Sequence, residues 1–482
     1  MSEVAVAREF RMKTAPWAHQ QRAFDRMLGT EALGLGYDPR LGKSKVVIDV
    51  AGKLWADGTI DALVVLAPNS VHENWALNEL PAHCGVPHET FTYRATLPKA
   101  KLDALRPRPT TEHLQVLCLN VDGLASSKAR SLLEFWLKTR RCFLVADESH
   151  LLKNPKAERT KYVLAVAPLA VRRAALSGTW TGNGAEDLYT QFEFLKPGCL
   201  GYKSWWAFRA SYCVMGGFEN RQIKGYHHLD ELARRMEPWF MRARRSECFD
   251  VPPNVYKRFT FELSPEHRRL YDAVRREALE VLDELVGQEG ADKLVLEQAT
   301  VRVLRLQQVA RGIDPLTGKD LAGECAGLKA LLDYLDSEDH PRLVWCRFVR
   351  DVDRVCALLG DRCFRFDGSV PLAERMDSLK RFQAGERQYI VGTPQVGGVG
   401  LTMSRAEEVI YYSNDYNLIN RTQSEDRGFD AAATVGMLVT DFEAKSTIDG
   451  KIIRALREKR KLSEVIMNDP RSLFLEDSCS DT

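Results

Sequence analysis

The chain has 482 residues, more than the roughly 250 to 300 at which a single hydrophobic core stops growing, so two core domains are expected. Its composition, 45% hydrophobic and 28% charged with 32 Gly and 20 Pro, excludes a fibrous or largely disordered chain. The formal net charge of +2 excludes a broad positive field, so affinity for a polyanion must come from local patches.

The beginning of the chain and the cysteines indicate the compartment. Charged residues interrupt residues 1–13, and no run of about 18 apolar residues occurs, so neither a signal peptide nor a membrane-spanning helix is expected. The 11 cysteines are scattered without a CxxC pair, which argues against a zinc ribbon and against a disulfide framework. The sequence therefore predicts a protein of a reducing cytoplasm, away from membranes.

Short apolar runs alternate with helix-compatible stretches in two parts of the chain. Such alternation is typical of strands in a parallel sheet that helices cover on both faces, so two α/β lobes are predicted. The predicted strands are 32–38, 62–68, 115–120, 142–147 and 174–179 in the first lobe, and 342–348, 363–367, 388–392, 408–412 and 437–441 in the second.

The segment between the two alternating parts has a different pattern. It is rich in aromatic residues over 201–241, and its apolar positions recur at helical spacing over 264–310, which predicts a helical insert. The predicted domains are a first lobe over 1–200, a helical insert and linker over 201–323, a second lobe over 324–465 and a flexible acidic tail over 466–482.

A glycine and a lysine follow the first predicted strand in the order that a phosphate-binding loop requires. Gly42, Lys43 and Ser44 stand between this strand and a helix-compatible run. The glycine lets backbone amides approach phosphate, the lysine supplies positive charge, and the serine hydroxyl is a ligand for Mg²⁺ at a helix N-terminus. Taken alone, so short a match also fits an ordinary loop.

Two adjacent carboxylates, Asp147 and Glu148, end a later apolar run. Asp147 would hold Mg²⁺ directly or through water, and Glu148 would orient and deprotonate an attacking water molecule. Incidental acids at a solvated strand end are the alternative, but the combination with Lys43 favours a nucleotide site. The two motifs together predict an enzyme that hydrolyses ATP with Mg²⁺ as cofactor.

Further short segments follow along the chain in a particular order. They are AHQ at 18–20, APNS at 67–70 before Trp75, DESHLLKN at 147–154, LSGT at 176–179, LSPEHRRLY at 263–271, RLQQ at 305–308, FDGS at 366–369, GGVGLT at 397–402 and QSEDR at 423–427. Together they resemble the motifs of the superfamily 2 ATPases, and within those the Swi/Snf-type translocases in a compact form like those of phages and the annealing helicases. The resemblance covers about residues 15–465, and it implies two RecA-like lobes.

The resemblance also implies a role for individual residues. Gln20 would contact adenine, and the second lobe would approach the nucleotide with Gly400, Gln423 and Arg427. For the residues that the resemblance assigns to nucleic-acid binding, a structural role in helix caps and turns is the alternative explanation. The implied sites are catalytic Lys43, Asp147, Glu148 and Arg427; nucleotide-binding Gln20, Gly42, Lys43, Ser44, Gly400 and Gln423; Mg²⁺-binding Ser44 and Asp147; and nucleic-acid-binding Asn69, Asn120, Lys153, Asn154 and Thr402.

Three positions depart from the family pattern. Arg40 stands at the first glycine of the phosphate loop, Trp180 at a proline after the LSGT segment, and Asp430 at the second arginine of the last motif. An arginine finger is worth about 10³ to 10⁵ in rate in phosphoryl-transfer enzymes, and a carboxylate would repel the transferred phosphate. The sequence thus predicts a slow or conditional ATPase, in which Arg427, or Arg421 or Arg405, takes over this role.

The function predicted from the resemblance is an ATP-dependent DNA helicase or translocase that acts on double-stranded DNA. Forked or single-stranded DNA remains open as its track, and the compact layout implies the cytoplasm of a bacterium or a phage-infected host. A catalytically weakened clamp on nucleic acid is the alternative that Asp430 favours. A small-molecule phosphotransferase would explain the phosphate loop but not a second lobe.

Overall fold

The computed structural model describes most of the chain, and it divides into two compact units, Met1–Asp250 and Val251–Thr482. Each unit is built around its own parallel sheet. The described residues are 9–69, 71–181, 184–216, 222–250, 252–285, 292–397, 403–428 and 436–458.

The first unit contains a seven-stranded sheet and a separate antiparallel hairpin, β7–β8. The order of strands in the sheet is β3-β4-β2-β5-β6-β1-β9, and its neighbouring strands are parallel. The strands are β1 Ala32–Tyr37, β2 Ala62–Ala67, β3 His88–Thr92, β4 Leu114–Asn120, β5 Cys142–Asp147, β6 Arg172–Leu176, β7 Cys213–Gly216, β8 Gln222–Tyr226 and β9 Phe240–Ala243.

Helices connect these strands in the manner of an α/β fold. A π-helical turn, Trp75–Glu79, joins the third helix to the fourth, so that the two form one continuous helical segment. The helices are α1 Ala18–Leu28, α2 Lys43–Ala56, α3 Val71–Asn74, α4 Leu80–His83, α5 Lys99–Ala104, α6 Ser127–Thr139, α7 Glu158–Val166, α8 Leu188–Leu195, α9 Trp205–Tyr212, α10 Leu229–Met236 and α11 Arg245–Cys248.

The second unit contains a six-stranded parallel sheet of order β10-β15-β14-β11-β13-β12. None of the helices in the described part of the chain is long and apolar enough to cross a membrane. The elements are β10 Val255–Phe261, α12 Pro265–Leu285, α13 Asp292–Ala310, α14 Ala326–Asp336, β11 Arg342–Trp345, α15 Val349–Leu359, β12 Cys363–Phe366, α16 Leu372–Gln383, β13 Tyr389–Gly392, α17 Pro394–Gly397, β14 Glu408–Tyr411, α18 Leu418–Glu425, β15 Leu438–Ala444 and α19 Ile448–Arg457.

The α/β fold with two parallel sheets is confirmed, and the apolar runs mark its inner strands. Strands β2 and β5 are buried along almost their whole length, as expected for strands that helices cover on both faces. The run predicted over 174–179 is observed as β6, Arg172–Leu176, which begins and ends earlier. Strands β3, β9 and β10 were not predicted; each lies at a sheet edge, and most of its residues are exposed or only partly buried.

The helical stretch predicted between the two alternating parts is confirmed as α12 and α13. Their apolar residues, among them Leu282 and Leu306, share one hydrophobic cluster with strands of the second sheet. The aromatic stretch over 201–241 contains, besides α9 and α10, the hairpin β7–β8 and the start of β9. The domain boundaries derived from the sequence stay a prediction.

Candidate active site

The phosphate loop lies between the end of β1 and the first residue of α2, Lys43. Two residues of the loop, Arg40 and Gly42, have left-handed backbone conformations with φ of 67° and 74°. Arg40 thus adopts a conformation that a glycine would adopt without steric cost. Lys43 Nζ donates to the carbonyl oxygens of Tyr37 at 2.8 Å and Asp38 at 3.4 Å, which holds the ammonium group across the loop. The amides at the N-terminus of α2 complete an anion-binding geometry.

Gln20 joins the beginning of α1 to this loop. Its Nε2 donates to the Leu41 carbonyl at 3.2 Å, and its Oε1 accepts from the Trp17 backbone amide at 3.0 Å. His19 Nε2 donates to the same carbonyl at 2.9 Å. Because Gln20 is only 3% exposed and is bonded at both ends of its amide, it fixes the loop from one side. Its contact with adenine stays a prediction.

The carboxylate pair lies at the carboxyl end of β5. Asp147 Oδ2 accepts from Trp75 Nε1 at 2.8 Å, and Asp147 Oδ1 accepts from the backbone amide of Glu148 at 2.9 Å. Burial, together with the adjacent charge of Glu148, raises the pKa of Asp147 to about 6. Glu148 has a φ of 49°, an uncommon conformation for a residue with a side chain. Asp147 is therefore held in one orientation.

Glu148 is connected to the segment after β6. Its Oε2 lies 3.2 Å from His150 Nδ1 and accepts from Ser177 Oγ at 3.4 Å. Ser149 Oγ donates to Gln191 Oε1 at 2.7 Å, and Gln191 Nε2 donates to the Trp180 carbonyl at 2.8 Å. The water-orienting carboxylate predicted from the sequence is thus linked by short contacts to the LSGT segment and to α8.

Glu79 is a carboxylate of the candidate site that the sequence analysis did not single out. Burial and the nearby charge of Asp147 raise the pKa of Glu79 to about 7, against hydrogen bonds from Asn74 and Ser44 that lower it. Asn74 Nδ2 donates to Glu79 Oε1 at 3.3 Å. The sequence signal was the spacing of Trp75 and Glu79, four residues apart, directly after the APNS segment.

The residues present fit a divalent cation. Ser44 and Asp147 offer oxygen ligands, which Mg²⁺ prefers, and the carboxylates of Glu148 and Glu79 add negative charge near Asp147. Burial and this neighbouring charge raise the pKa of Asp147 and Glu79, while Lys43 lowers both. A cation such as Mg²⁺ would compensate the remaining negative charge.

The second unit carries the other residues predicted to serve the nucleotide. Gln423 lies half-buried on α18, and Arg427 is buried, its carbonyl accepting from the Met403 amide at 3.0 Å. Arg421 forms an ion pair with Asp441 at 2.5 Å and stacks on a tyrosine ring, while Arg405 Nη1 donates to two backbone carbonyls. Arg421 and Arg405 are thus engaged within their own unit. The predicted residues Gly400, Thr402 and Asp430 lie outside the described residues.

Two of the residues predicted to contact nucleic acid lie together. Asn69 follows β2, Asn120 is the last residue of the adjacent strand β4, and Asn120 Nδ2 donates to Asn69 Oδ1 at 3.2 Å. Lys153 is half-buried and lies 3.5 Å from Asp187, whereas Asn154 is exposed and caps a turn by accepting from the Lys156 amide. Their contacts with nucleic acid stay predictions.

Trp180, the departure after the LSGT segment, is a buried packing residue. Its Nε1 donates to the carbonyls of Leu35 at 3.2 Å and Ser177 at 3.1 Å, and its ring packs edge-on against Phe240 of β9. A Cβ at Gly34 of β1 would lie 2.5 Å from Trp180 Cη2. The glycine in β1 therefore makes room for the indole, which ties β1, β6 and β9 together.

A parallel α/β sheet with a phosphate loop after its first strand and a carboxylate pair after β5 defines a helicase-type ATPase core. The comparison with protein families agrees with this class. The chain belongs to the SNF2-related family: the SNF2-related domain matches residues 14–311, and the helicase conserved C-terminal domain matches residues 326–430.

Individual relatives share this core at low identity. Protein CHROMATIN REMODELING 24 of Arabidopsis thaliana is 24% identical, over 96% of this chain and 48% of that protein. TATA-binding protein-associated factor MOT1 of Saccharomyces cerevisiae is 25% identical, over 85% of this chain and 24% of that protein. The chain thus spans about half, or less, of the length of these curated relatives.

Solved structures of an archaeal core also align with the chain. The Sulfolobus solfataricus SWI2/SNF2 ATPase core in complex with dsDNA is 19% identical with a TM-score of 0.41, over 96% of each chain. The SWI2/SNF2 ATPase core domain of the same organism is 19% identical with a TM-score of 0.42, over 99% of this chain and 98% of that one.

Proposed function

We propose that the protein is an ATP-dependent translocase that hydrolyses ATP to move on, or to remodel, double-stranded DNA. The observation that carries the proposal is the joint placement of Lys43, Ser44, Asp147 and Glu148 at one edge of the first sheet, in a chain that also carries a helicase C-terminal domain. Relatives named for chromatin remodelling and for association with a TATA-binding protein favour duplex DNA as the track.

The chemistry follows from the placement of these side chains. Lys43 and the amides at the start of α2 would bind the phosphates of ATP, and Ser44 and Asp147 would hold Mg²⁺. Bound there, Mg²⁺ neutralises charge that develops on the phosphate oxygens. Glu148, oriented by His150 and Ser177, directs the attacking water and accepts its proton.

The contacts around Glu148 supply a route by which a bound nucleic acid can influence hydrolysis. Gln191 Nε2 donates to the carbonyls of both Trp180 and Asp187 at 2.8 Å, and the Asp187 carboxylate pairs with Lys153. Gln191 also accepts from Ser149, which follows Glu148 in the chain. A strand phosphate that draws Lys153 away from Asp187 would therefore disturb the shell that holds the catalytic carboxylate.

Phosphate release from ATP tests this proposal. It is measured without DNA and with double-stranded, single-stranded and forked DNA, with Lys43→Ala as the blank and Glu148→Gln as a variant that binds but does not hydrolyse. We expect release above the blank, raised by double-stranded DNA. Hydrolysis that no DNA raises would contradict the proposal and favour a small-molecule phosphotransferase.

A weakened clamp on nucleic acid is the second candidate, and Asp430 is the observation that favours it. A carboxylate at the position of the family's arginine repels the phosphate that is transferred. Tight DNA binding with no phosphate release above the Lys43→Ala blank would support the clamp. The complete placement of Lys43, Asp147 and Glu148 favours the translocase.

A further inference from the structure

Helix α9 carries an aromatic side chain on its outer face that does not pack into the core. The inner face of the helix is anchored, because Phe208 and Tyr212 are buried in the hydrophobic cluster of the first unit. Trp206 is 59% exposed, more than any other aromatic side chain in the described part of the chain. Tryptophan is highly buried on average, so the packing of the helix does not explain this position.

Two basic side chains lie over the exposed indole. The Lys156 ammonium is 5.3 Å from the centre of the Trp206 ring, and the Arg209 guanidinium is 5.9 Å from it. Both distances lie within the about 6 Å at which a cation and an aromatic face attract each other. The Trp205 ring meets that of Trp206 edge-on, with 4.7 Å between their centres, and fixes it from one side. This surface thus combines positive charge with an accessible aromatic ring.

The acidic side chains near Lys156 in the sequence have other partners. Asp187 pairs with Lys153, and Glu158 at the start of α7 pairs with Lys161. Lys156 itself is exposed, and no carboxylate within the described ranges forms an ion pair with it. Its charge is therefore available to an anionic ligand.

The turn that carries Lys156 also carries residues that the family resemblance predicts to contact nucleic acid. Lys153 and Asn154 follow the carboxylate pair of β5, and the Asn154 side chain accepts from the Lys156 amide at 2.9 Å. This bond holds Lys156 beside the predicted nucleic-acid residues, at the carboxyl edge of the first sheet. The basic and aromatic surface therefore continues the predicted track onto α9.

The bases of a duplex stack on one another, so an exposed ring meets a base face only where a strand is unpaired. We propose that Trp206, Lys156 and Arg209 form a binding site for single-stranded DNA, in which an unpaired base stacks on the indole and the two cations attract the neighbouring phosphates. Stacking on an aromatic side chain accepts every base, because each base has a π face. The inference deepens the proposed function and rests on it for DNA as the partner: it names DNA with an unpaired strand, such as a fork, as the ligand of this surface.

The test compares DNA molecules that differ in pairing. Fluorescence anisotropy gives the affinity of the full-length protein, without nucleotide, for labelled oligothymidylate, for a blunt duplex and for the same duplex with an unpaired arm. The variants are Trp206→Ala, Trp206→Phe and Lys156→Gln. Lys138→Gln and Leu169→Ala are the matched controls, because these exposed residues lie shortly before β5 and β6, at the opposite edge of the sheet.

We expect Trp206→Ala to weaken the binding of oligothymidylate and of the fork about tenfold, and that of the blunt duplex far less. Trp206→Phe keeps an aromatic face and should lose less affinity. Lys156→Gln should lower the slope of log Kd against log salt concentration by about 0.7, the value for one phosphate of a single strand. Trp206→Ala should leave that slope unchanged, and both controls should match wild type.

Two results would overturn the inference. One is wild-type affinity of Trp206→Ala for oligothymidylate, which would assign the surface to another kind of partner, such as a protein. The other is an equal loss on the fork and on the blunt duplex, because stacking requires an unpaired base. If Trp206→Ala does not fold, Lys156→Gln decides, since an unchanged salt slope in that variant contradicts a phosphate contact.

Failure of the proposed function gives a different pattern. If the wild-type protein binds no form of DNA, the proposed function and the inference fail together. If duplex DNA raises phosphate release while the Trp206 and Lys156 variants bind oligothymidylate as wild type does, only the inference fails. If phosphate release stays at the Lys43→Ala blank while Trp206→Ala loses affinity for oligothymidylate, the inference holds and the translocase fails.

Discussion

At the scale of single residues, the nucleotide site depends on backbone positions as much as on charged groups. Gly42 has a φ of 74°, and the space where its side chain would be is taken by the amide of Gln20. Arg40 in the phosphate loop and Glu148 after β5 also have left-handed conformations. Residues held in such conformations cluster at active sites, because the surrounding structure must stabilise them.

Gly42→Ala tests this arrangement. The new Cβ would lie 2.2 Å from Gln20 Nε2, and the alanine would have to keep the left-handed φ of residue 42. We therefore expect the free energy of unfolding to fall by about 2 to 4 kcal/mol. Gly58→Ala is the control, since Gly58 has a φ of 68° and no heavy atom lies within 4 Å of its Cβ position. For this control we expect the free energy of unfolding to fall by about 1 to 2 kcal/mol. Equal losses in urea denaturation would show that the Gln20 contact contributes nothing.

Substitutions of Asp430 test whether the last family motif takes part in ATP hydrolysis. Asp430→Arg should raise the rate of DNA-stimulated ATP hydrolysis at least about tenfold, a small part of the 10³ to 10⁵ that an arginine finger supplies. Asp430→Asn removes the repelling charge without adding a positive one, so it separates the two effects. A turnover rate that neither substitution changes would show that position 430 has no part in phosphoryl transfer.

At the scale of elements, β1 leads directly into the phosphate loop, and it lies between β6 and the edge strand β9, which both pair with it. The Trp180 indole donates to the carbonyl of Leu35 in β1 and to that of Ser177 after β6. The large indole is matched by the small residue at Gly34.

Gly34→Ala should destabilise the protein by about 1 to 3 kcal/mol, since its Cβ would lie 2.5 Å from Trp180 Cη2 and 3.3 Å from Leu195 Cδ1. In a Trp180→Phe background the shorter ring leaves room, so the same substitution should cost less. A double-mutant cycle measured by urea denaturation gives the coupling free energy between residues 34 and 180, which we expect to be about 0.5 kcal/mol or more. Strict additivity of the two changes would contradict direct packing of residue 34 on the indole.

At the scale of the whole molecule, the sequence predicts the inner strands of both sheets and the buried edge strand β12, and it misses the edge strands β3, β9 and β10. Strands β2 and β5 are continuous apolar runs that stand out between polar helices. Strands β3 and β10 are half-exposed, and pairing with a neighbour defines them more than hydrophobicity does. A pattern read along the chain therefore detects burial, but it does not detect strand pairing at a sheet edge.

Sequence patterns are limited in the same way at the candidate site. Lys43, Asp147 and Glu148 lie in short motifs next to apolar strands, and it is the combination of these motifs that predicts them. The roles of Trp75 and Glu79 depend on a π-helical turn that no local sequence rule specifies. Trp75 is 72 residues from Asp147 in sequence, and only the packing of the turn on β5 brings the two side chains together.

The displacement of a third strand from triplex DNA tests most directly whether the protein moves along a duplex. With ATP, the wild-type protein should remove the third strand, whereas Lys43→Ala, or wild type with a non-hydrolysable ATP analogue, should leave it in place. Double-stranded DNA that is bound, and that stimulates phosphate release, while the third strand stays on the duplex would contradict a translocase. That result would instead indicate a clamp whose hydrolysis is not coupled to movement.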